Sequence, residues 1–234
     1  MTTAILIHGA FADSDSWSGV VAPLRADGHR VIAYANPLRS VVTDAAPLND
    51  LIKTLDGPIV LVGHSYGGAV LTAVAPDAGE IVGLVYVAGF ALQPGESAAA
   101  ASALAPGSTL RDTLVEVPLQ SGGADLYIEE GKYRQQFCAD IDDDQATVMA
   151  VTQRPVTAAA LNEPLGERAL WQSVPSWFVF GENDRNIPAG AHQIMADRAA
   201  SRRTVQVAGA SHVVGISHPA EVVDLVREAF ASSQ

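Results

Sequence analysis

Six short apolar runs recur along the chain, at residues 4–8, 30–34, 58–62, 81–88, 176–180 and 204–207. None alternates polar with apolar positions, so each is expected to be a strand covered on both faces, the condition of strands in a parallel sheet. Between most of them lie longer stretches with helical spacing, over 17–27, 44–55, 66–75, 189–200 and 219–230. Strand and helix in alternation imply a doubly wound, mainly parallel α/β sheet with right-handed crossovers. The punctuation agrees: Gly28 follows the first helix, Pro76 follows the one after Ser65, and Pro219 opens the last.

The rhythm breaks over residues 91–170, where the ~10 to 15 residues of a crossover helix give way to a long insertion. It is rich in Ala, Pro, Asp and Gln, and plausible short helices fall at 98–105, 124–136 and 143–151. No strand is expected within it. The division is therefore a core of residues 1–90 and 171–234 carrying an inserted helical cap, 91–170. Asp142, Asp143 and Asp144 are the densest charge cluster and are expected to begin a solvated helix, since calcium-loop spacing is absent around them.

Composition narrows the function classes. With 48% hydrophobic and 17% charged residues over 234, the chain can bury a substantial core. Twenty-six acidic against 14 basic residues give a net charge of −12, which repels nucleic acids and anionic membrane surfaces. A single cysteine, Cys138, allows no intrachain disulfide and no Cys-based metal site. The start, Met1-Thr2-Thr3-Ala4, has no basic segment, and its apolar run stops at His8-Gly9, so neither a signal peptide nor a membrane span is expected. These features point to a cytoplasmic protein.

Chemistry concentrates at Val60-Leu61-Val62-Gly63-His64-Ser65-Tyr66-Gly67-Gly68, a strand ending in G-x-S-x-G and running into a helix. Gly63 and Gly67 leave room for the tight turn that projects Ser65 as a nucleophile. A serine hydroxyl needs a base, and the base needs a carboxylate to orient it. The base expected is His212, in the loop after the last strand, over His218 at the mouth of the final helix. Asp184, past the strand at 176–180, is the acid, with Glu182 as the alternative. His8 and His64 flank the site in packing and backbone-bonding roles. Amide donors for an oxyanion are expected from Tyr66 and from the loop after the first strand, Ala10 first and Phe11 second.

The set formed by His8-Gly9-Ala10, Gly63 to Gly68, Gly181-x-x-Asp184-x-x-x-Pro188 and Gly209-x-x-His212 resembles the α/β-hydrolase superfamily in nearly its whole length. With Asn36-Pro37-Leu38-Arg39-Ser40 and Gln153-Arg154-Pro155, it is most similar to small bacterial esterase-like members related to plant methyl-salicylate esterases and hydroxynitrile lyases. The resemblance implies the α/β-hydrolase fold, a carboxylesterase acting on a small, fairly apolar ester through an acyl-enzyme, and no cofactor or metal. The lyases of that branch carry threonine where Gly9 stands and lysine where Val213 stands, which favours ester hydrolysis over cyanohydrin cleavage here. A C–C lyase, a cofactor-free perhydrolase and a non-catalytic ligand-binding member are the alternative readings. Phe11, Phe90, Tyr127 and Trp171 are expected to shape the pocket.

Overall fold

A computed structural model describes residues 1–232. The chain opens with β1 (Thr3–Ile7), α1 (Ser18–Ala26), β2 (Arg30–Tyr34), α2 (Val41–Ile52), β3 (Ile59–His64), α3 (Tyr66–Thr72) and β4 (Ile81–Val87). An insertion follows, with α4 (Ala98–Ser102), β5 (Leu114–Pro118), β6 (Ala124–Ile128), α5 (Glu130–Phe137), α6 (Asp143–Thr152), β7 (Val156–Thr157) and α7 (Ala158–Asn162). The chain returns through β8 (Ser176–Gly181), α8 (Ala189–Arg198), β9 (Arg203–Val207), α9 (Val214–Ser217) and α10 (Pro219–Ala231).

All six expected strands form one sheet, in the order β2-β1-β3-β4-β8-β9, and every neighbouring pair is parallel. The absence of alternation has the anticipated cause. Odd positions of β1 and β3, Ile5, Ile7, Ile59 and Leu61, join one core, while Ala4, Leu6, Val60 and Val62 join another on the opposite face. The second core is closed by α1 and α10, through Val20, Leu24, Val222 and Val226. The first is closed by α2, α3 and α8, and it continues without a break into the insertion.

Chain order reverses between β1, which leads outward to β2, and β3, which leads to β4 on the other side. The loops leaving the carboxyl ends of these two strands therefore diverge and open a crevice, the usual ligand position in open α/β sheets.

The insertion departs from the all-helical expectation. Strands β5, β6 and β7 form a three-stranded antiparallel sheet, and residues 124–136 divide into β6 and α5 instead of forming one helix. The cause is a hairpin: Gly122 and Gly123 both take left-handed backbone (φ 93° and 79°) between two runs that pair residue by residue from Leu114–Ile128 to Pro118–Ala124. Helix α4 stops at Ser102, short of residue 105. Asp142 does cap α6, accepting from Gln145 N at 2.8 Å.

Ties between insertion and core are specific. The Arg39 guanidinium meets Asp125 at 2.6 Å and donates to Pro155 O at 2.8 Å, joining the stretch after β2 to β6 and to the residue before β7. Arg198 of α8 pairs with Glu96 and donates to Ala91 O. Ser211 donates to Asp140.

Candidate active site

Ser65 follows β3 directly and adopts φ 52°, ψ −121°, a conformation that non-glycine residues avoid. The surroundings over-determine it. Its N–H donates to Val87 O at 3.2 Å, and its carbonyl accepts from Gly68 N at 2.9 Å and Phe90 N at 3.1 Å. At Gly67 a β-carbon would fall 2.2 Å from Ile7 O, so only glycine lets α3 approach β1 this closely.

Asp184 and His212 leave the carboxyl ends of β8 and β9, on the same rim as Ser65. Nδ1 of His212 donates to Oδ2 of Asp184 at 2.7 Å, and both side chains are wholly excluded from solvent. Oδ1 of Asp184 accepts the N–H groups of Asn186 at 2.8 Å and Ile187 at 2.9 Å. Burial alone would raise this carboxyl, but the charge interaction with His212 and hydrogen bonds from His192 and His212 outweigh it and hold it well below the usual range. Nε2 of His212 is buried without a hydrogen-bond partner, so no hydrogen bond joins it to the Ser65 hydroxyl.

The residues of the two expected oxyanion donors, Ala10 and Tyr66, line one cavity together with Ser65. Among the described residues neither backbone N–H has an acceptor, Tyr66 because it opens a helix. Phe11 N–H, the second choice, is taken: it donates to Arg154 O at 2.9 Å. That use also explains why the Gln153-Arg154-Pro155 stretch sits where it does.

The flanking histidines serve the scaffold. Asn36 N donates to Nε2 of His8 at 3.1 Å, so its Nδ1–H donates to Gly9 O at 2.9 Å; burial lowers this histidine to about 4. His64 packs against His212 with ring centroids 4.8 Å apart, its Nε2 lies 3.1 Å from His212 O, and burial lowers it to about 3. His218 precedes α10 without capping it and bonds the Ser217 hydroxyl. Glu182 accepts from Gly209 N at an exposed position.

The cavity above Ser65 measures about 790 Å³. Ala10, Phe11, Tyr66 and Phe90 line it from the core, Ala98, Ala105, Leu110, Leu114, Leu126 and Leu161 from the insertion, and Arg111, Asp112, Glu116, Asn162 and Asn186 add polar and charged groups. Two expected pocket residues lie elsewhere. Tyr127 alternates with Leu126 along β6, so when Leu126 faces the cavity Tyr127 faces an outer groove. Trp171 packs under the insertion, its indole N–H donating to Leu92 O at 2.8 Å.

One residue at the site escaped the sequence reading. Nε2 of His192 donates to Oδ2 of Asp184 at 3.1 Å, beside His212. A signal existed: Ala191, His192, Met195 and Ala196 form the buried stripe of α8, which places this histidine inside, one helical turn beyond the acid loop.

A doubly wound parallel sheet carries a strained serine between its third strand and the following helix, with the segment inserted after β4 lining the cavity beside it. The chain belongs to the alpha/beta hydrolase family, whose model matches residues 4–225. It is 27% identical over 249 residues to Esterase PIR7B of Oryza sativa subsp. japonica, covering 95% of this chain and 93% of that protein. It is also 27% identical over 253 residues to the Pyrethroid hydrolase of Sphingobium wenxiniae, covering 97% and 87%. Polyneuridine aldehyde esterase superposes with a TM-score of 0.79 at 18% identity, covering 100% of both chains, a likeness of fold.

Proposed function

We propose that this enzyme is a carboxylesterase that cleaves apolar esters through Ser65, His212 and Asp184. The observation that carries the reading is the 2.7 Å bond between buried Asp184 and His212 on the rim where the strained Ser65 lines a large cavity. His212 Nε2 takes the Ser65 hydroxyl proton as Oγ bonds to the carbonyl carbon, and the amides of Ala10 and Tyr66 receive the oxyanion. The proton then passes to the departing alkoxide as the C–O bond breaks. Water repeats the sequence on the acyl-enzyme, with His212 again as base, and releases the acid. The similarity to a rice esterase and to a Sphingobium pyrethroid hydrolase supports an ester substrate.

The cavity is of a size that takes drug-sized ligands, and its leucine, alanine and phenylalanine side chains support a fairly apolar acyl or alcohol part, while Arg111, Asp112, Glu116 and Asn186 leave room for polar groups on the substrate. Cyanohydrin cleavage is disfavoured by Gly9: a β-carbon there would lie 2.6 Å from Ser65 Cβ and 2.8 Å from His64 O, so the threonine of the lyases does not fit this backbone. A cytoplasmic location belongs to the same proposal, resting on one cysteine, Cys138, which is buried and raised to about 12. The test is a panel of p-nitrophenyl and aryl esters of increasing acyl length, run on wild type beside Ser65→Ala, with fluorophosphonate labelling. Turnover and labelling that vanish in Ser65→Ala are expected. Folded wild-type protein that neither labels nor hydrolyses any ester overturns the reading.

A further inference from the structure

We propose that His192 is a positioning residue for catalysis, a second imidazole on the Asp184 carboxylate that fixes the orientation and limits the basicity of His212. The inference rests on the Ser65–His212–Asp184 reading above. An ionised carboxylate offers about four acceptor directions, and at Asp184 all are used. Oδ1 takes the amides of Asn186 and Ile187, and Oδ2 takes His212 Nδ1 at 2.7 Å and His192 Nε2 at 3.1 Å. Turning the carboxylate toward any other partner breaks several of these bonds at once.

His192 is itself clamped. It is fully buried on α8, and its ring stacks on Phe180 of β8 with centroids 4.9 Å apart and planes 17° from parallel. Its Nδ1 is buried without a partner. Because Nε2 faces an anionic oxygen, the ring must carry its proton there, and Nδ1 is left as an unused acceptor. A residue present only to fill the space beside Phe180 would be better apolar, since it would strand no polar atom. Burial lowers the proton affinity of His192, with the Asp184 bond opposing, which agrees with a neutral donor.

The electrostatic consequence concerns His212. Asp184 is its facing charge, and sharing that charge with His192 weakens the pull on a proton at His212. The other titratable groups around the pair are His64 across the His212 ring, His8 behind His64, and Asp140 of the insertion, which reaches Ser211. Burial keeps His8 and His64 neutral, so they contribute little of the acidic limb of activity.

The experiment compares wild type, His192→Leu and His192→Gln, the last because its amide nitrogen can reach the same oxygen. Profiles of kcat/KM against pH with p-nitrophenyl butyrate are measured beside thermal unfolding. In His192→Leu the acidic limb is expected to move up by about 0.5 to 1 pH unit. Its kcat should fall roughly 10-fold with KM changed less than about 2-fold. His192→Gln should recover most of both effects. A folded His192→Leu with an unmoved limb, or Gln and Leu variants that behave alike, overturns the proposal. Should the Leu variant fail to fold, long-range proton–nitrogen correlation spectra of the wild-type imidazoles decide, and a His192 ring protonated at Nδ1 at neutral pH overturns it. That spectrum needs no turnover, so failure of the esterase reading, seen as an inert wild type, stays distinct from failure of this one.

Discussion

Phe11 follows the proposed oxyanion donor Ala10 with φ 61°, and both of its backbone polar groups are satisfied from the insertion. Its N–H donates to Arg154 O at 2.9 Å, and its carbonyl accepts the Tyr133 hydroxyl at 2.5 Å. Tyr133 is fully buried, and burial raises its hydroxyl well above the ordinary value, so this group acts as a donor throughout the accessible pH range. Tyr133→Phe keeps the ring, its packing on Phe137 at 5.1 Å included, and deletes only the donor. The buried Phe11 carbonyl is then left unpaired, at a penalty of about 1 to 3 kcal/mol. For a chain of this size that corresponds to a fall in Tm of roughly 2 to 12 °C. Phe11 adjoins Ala10, so on the proposed mechanism the loop's release also loosens one oxyanion donor. A donor lost completely costs ~10²-fold or more in kcat, so partial loosening should cost about 3- to 30-fold. Differential scanning calorimetry and steady-state kinetics on one p-nitrophenyl ester measure both. A Tm within about 1 °C of wild type, together with unchanged kcat, would refute the claim that the insertion holds the oxyanion loop in place.

Acidification should destabilise the fold through its buried histidines. The unfolded chain binds their protons below about pH 6.5, whereas folded His8 does so only near 4 and His64 near 3, so stability is intact above 6.5 and drains as pH falls through that window. At pH 5 each accounts for about 2 kcal/mol, and urea denaturation at pH 7 and pH 5 reads the difference; equal midpoints would contradict it. Gly67→Ala, whose β-carbon meets Ile7 O and His8 O, is expected to lose about 3 kcal/mol or more and all esterase activity, checked by thermal shift and turnover. Arg39→Ala removes a partly exposed ion pair to Asp125 and the bond to Pro155 O. It should cost only about 1 kcal/mol globally, yet speed proteolytic nicking of the insertion, followed by timed trypsin digests.

What the sequence alone determined is whatever depends on neighbours in the chain. The apolar runs named six strands because a run without alternation must be covered on both faces, and G-x-S-x-G named the elbow because its glycines and serine share one turn. Over 124–136 helical spacing predicts a single helix, and the pairing of Leu114–Pro118 with Ala124–Ile128 decides for a hairpin instead. Tertiary structure decided the rest, since it depends on which distant groups share a space. Whether Leu126 or Tyr127 faces the cavity follows from strand register, and whether Phe11 N–H is free follows from where Arg154 lands. That Asp184 holds two histidines follows from the packing of α8 against β8. Contacts of this kind are set by the summed burial of whole elements, which no local pattern of residues encodes.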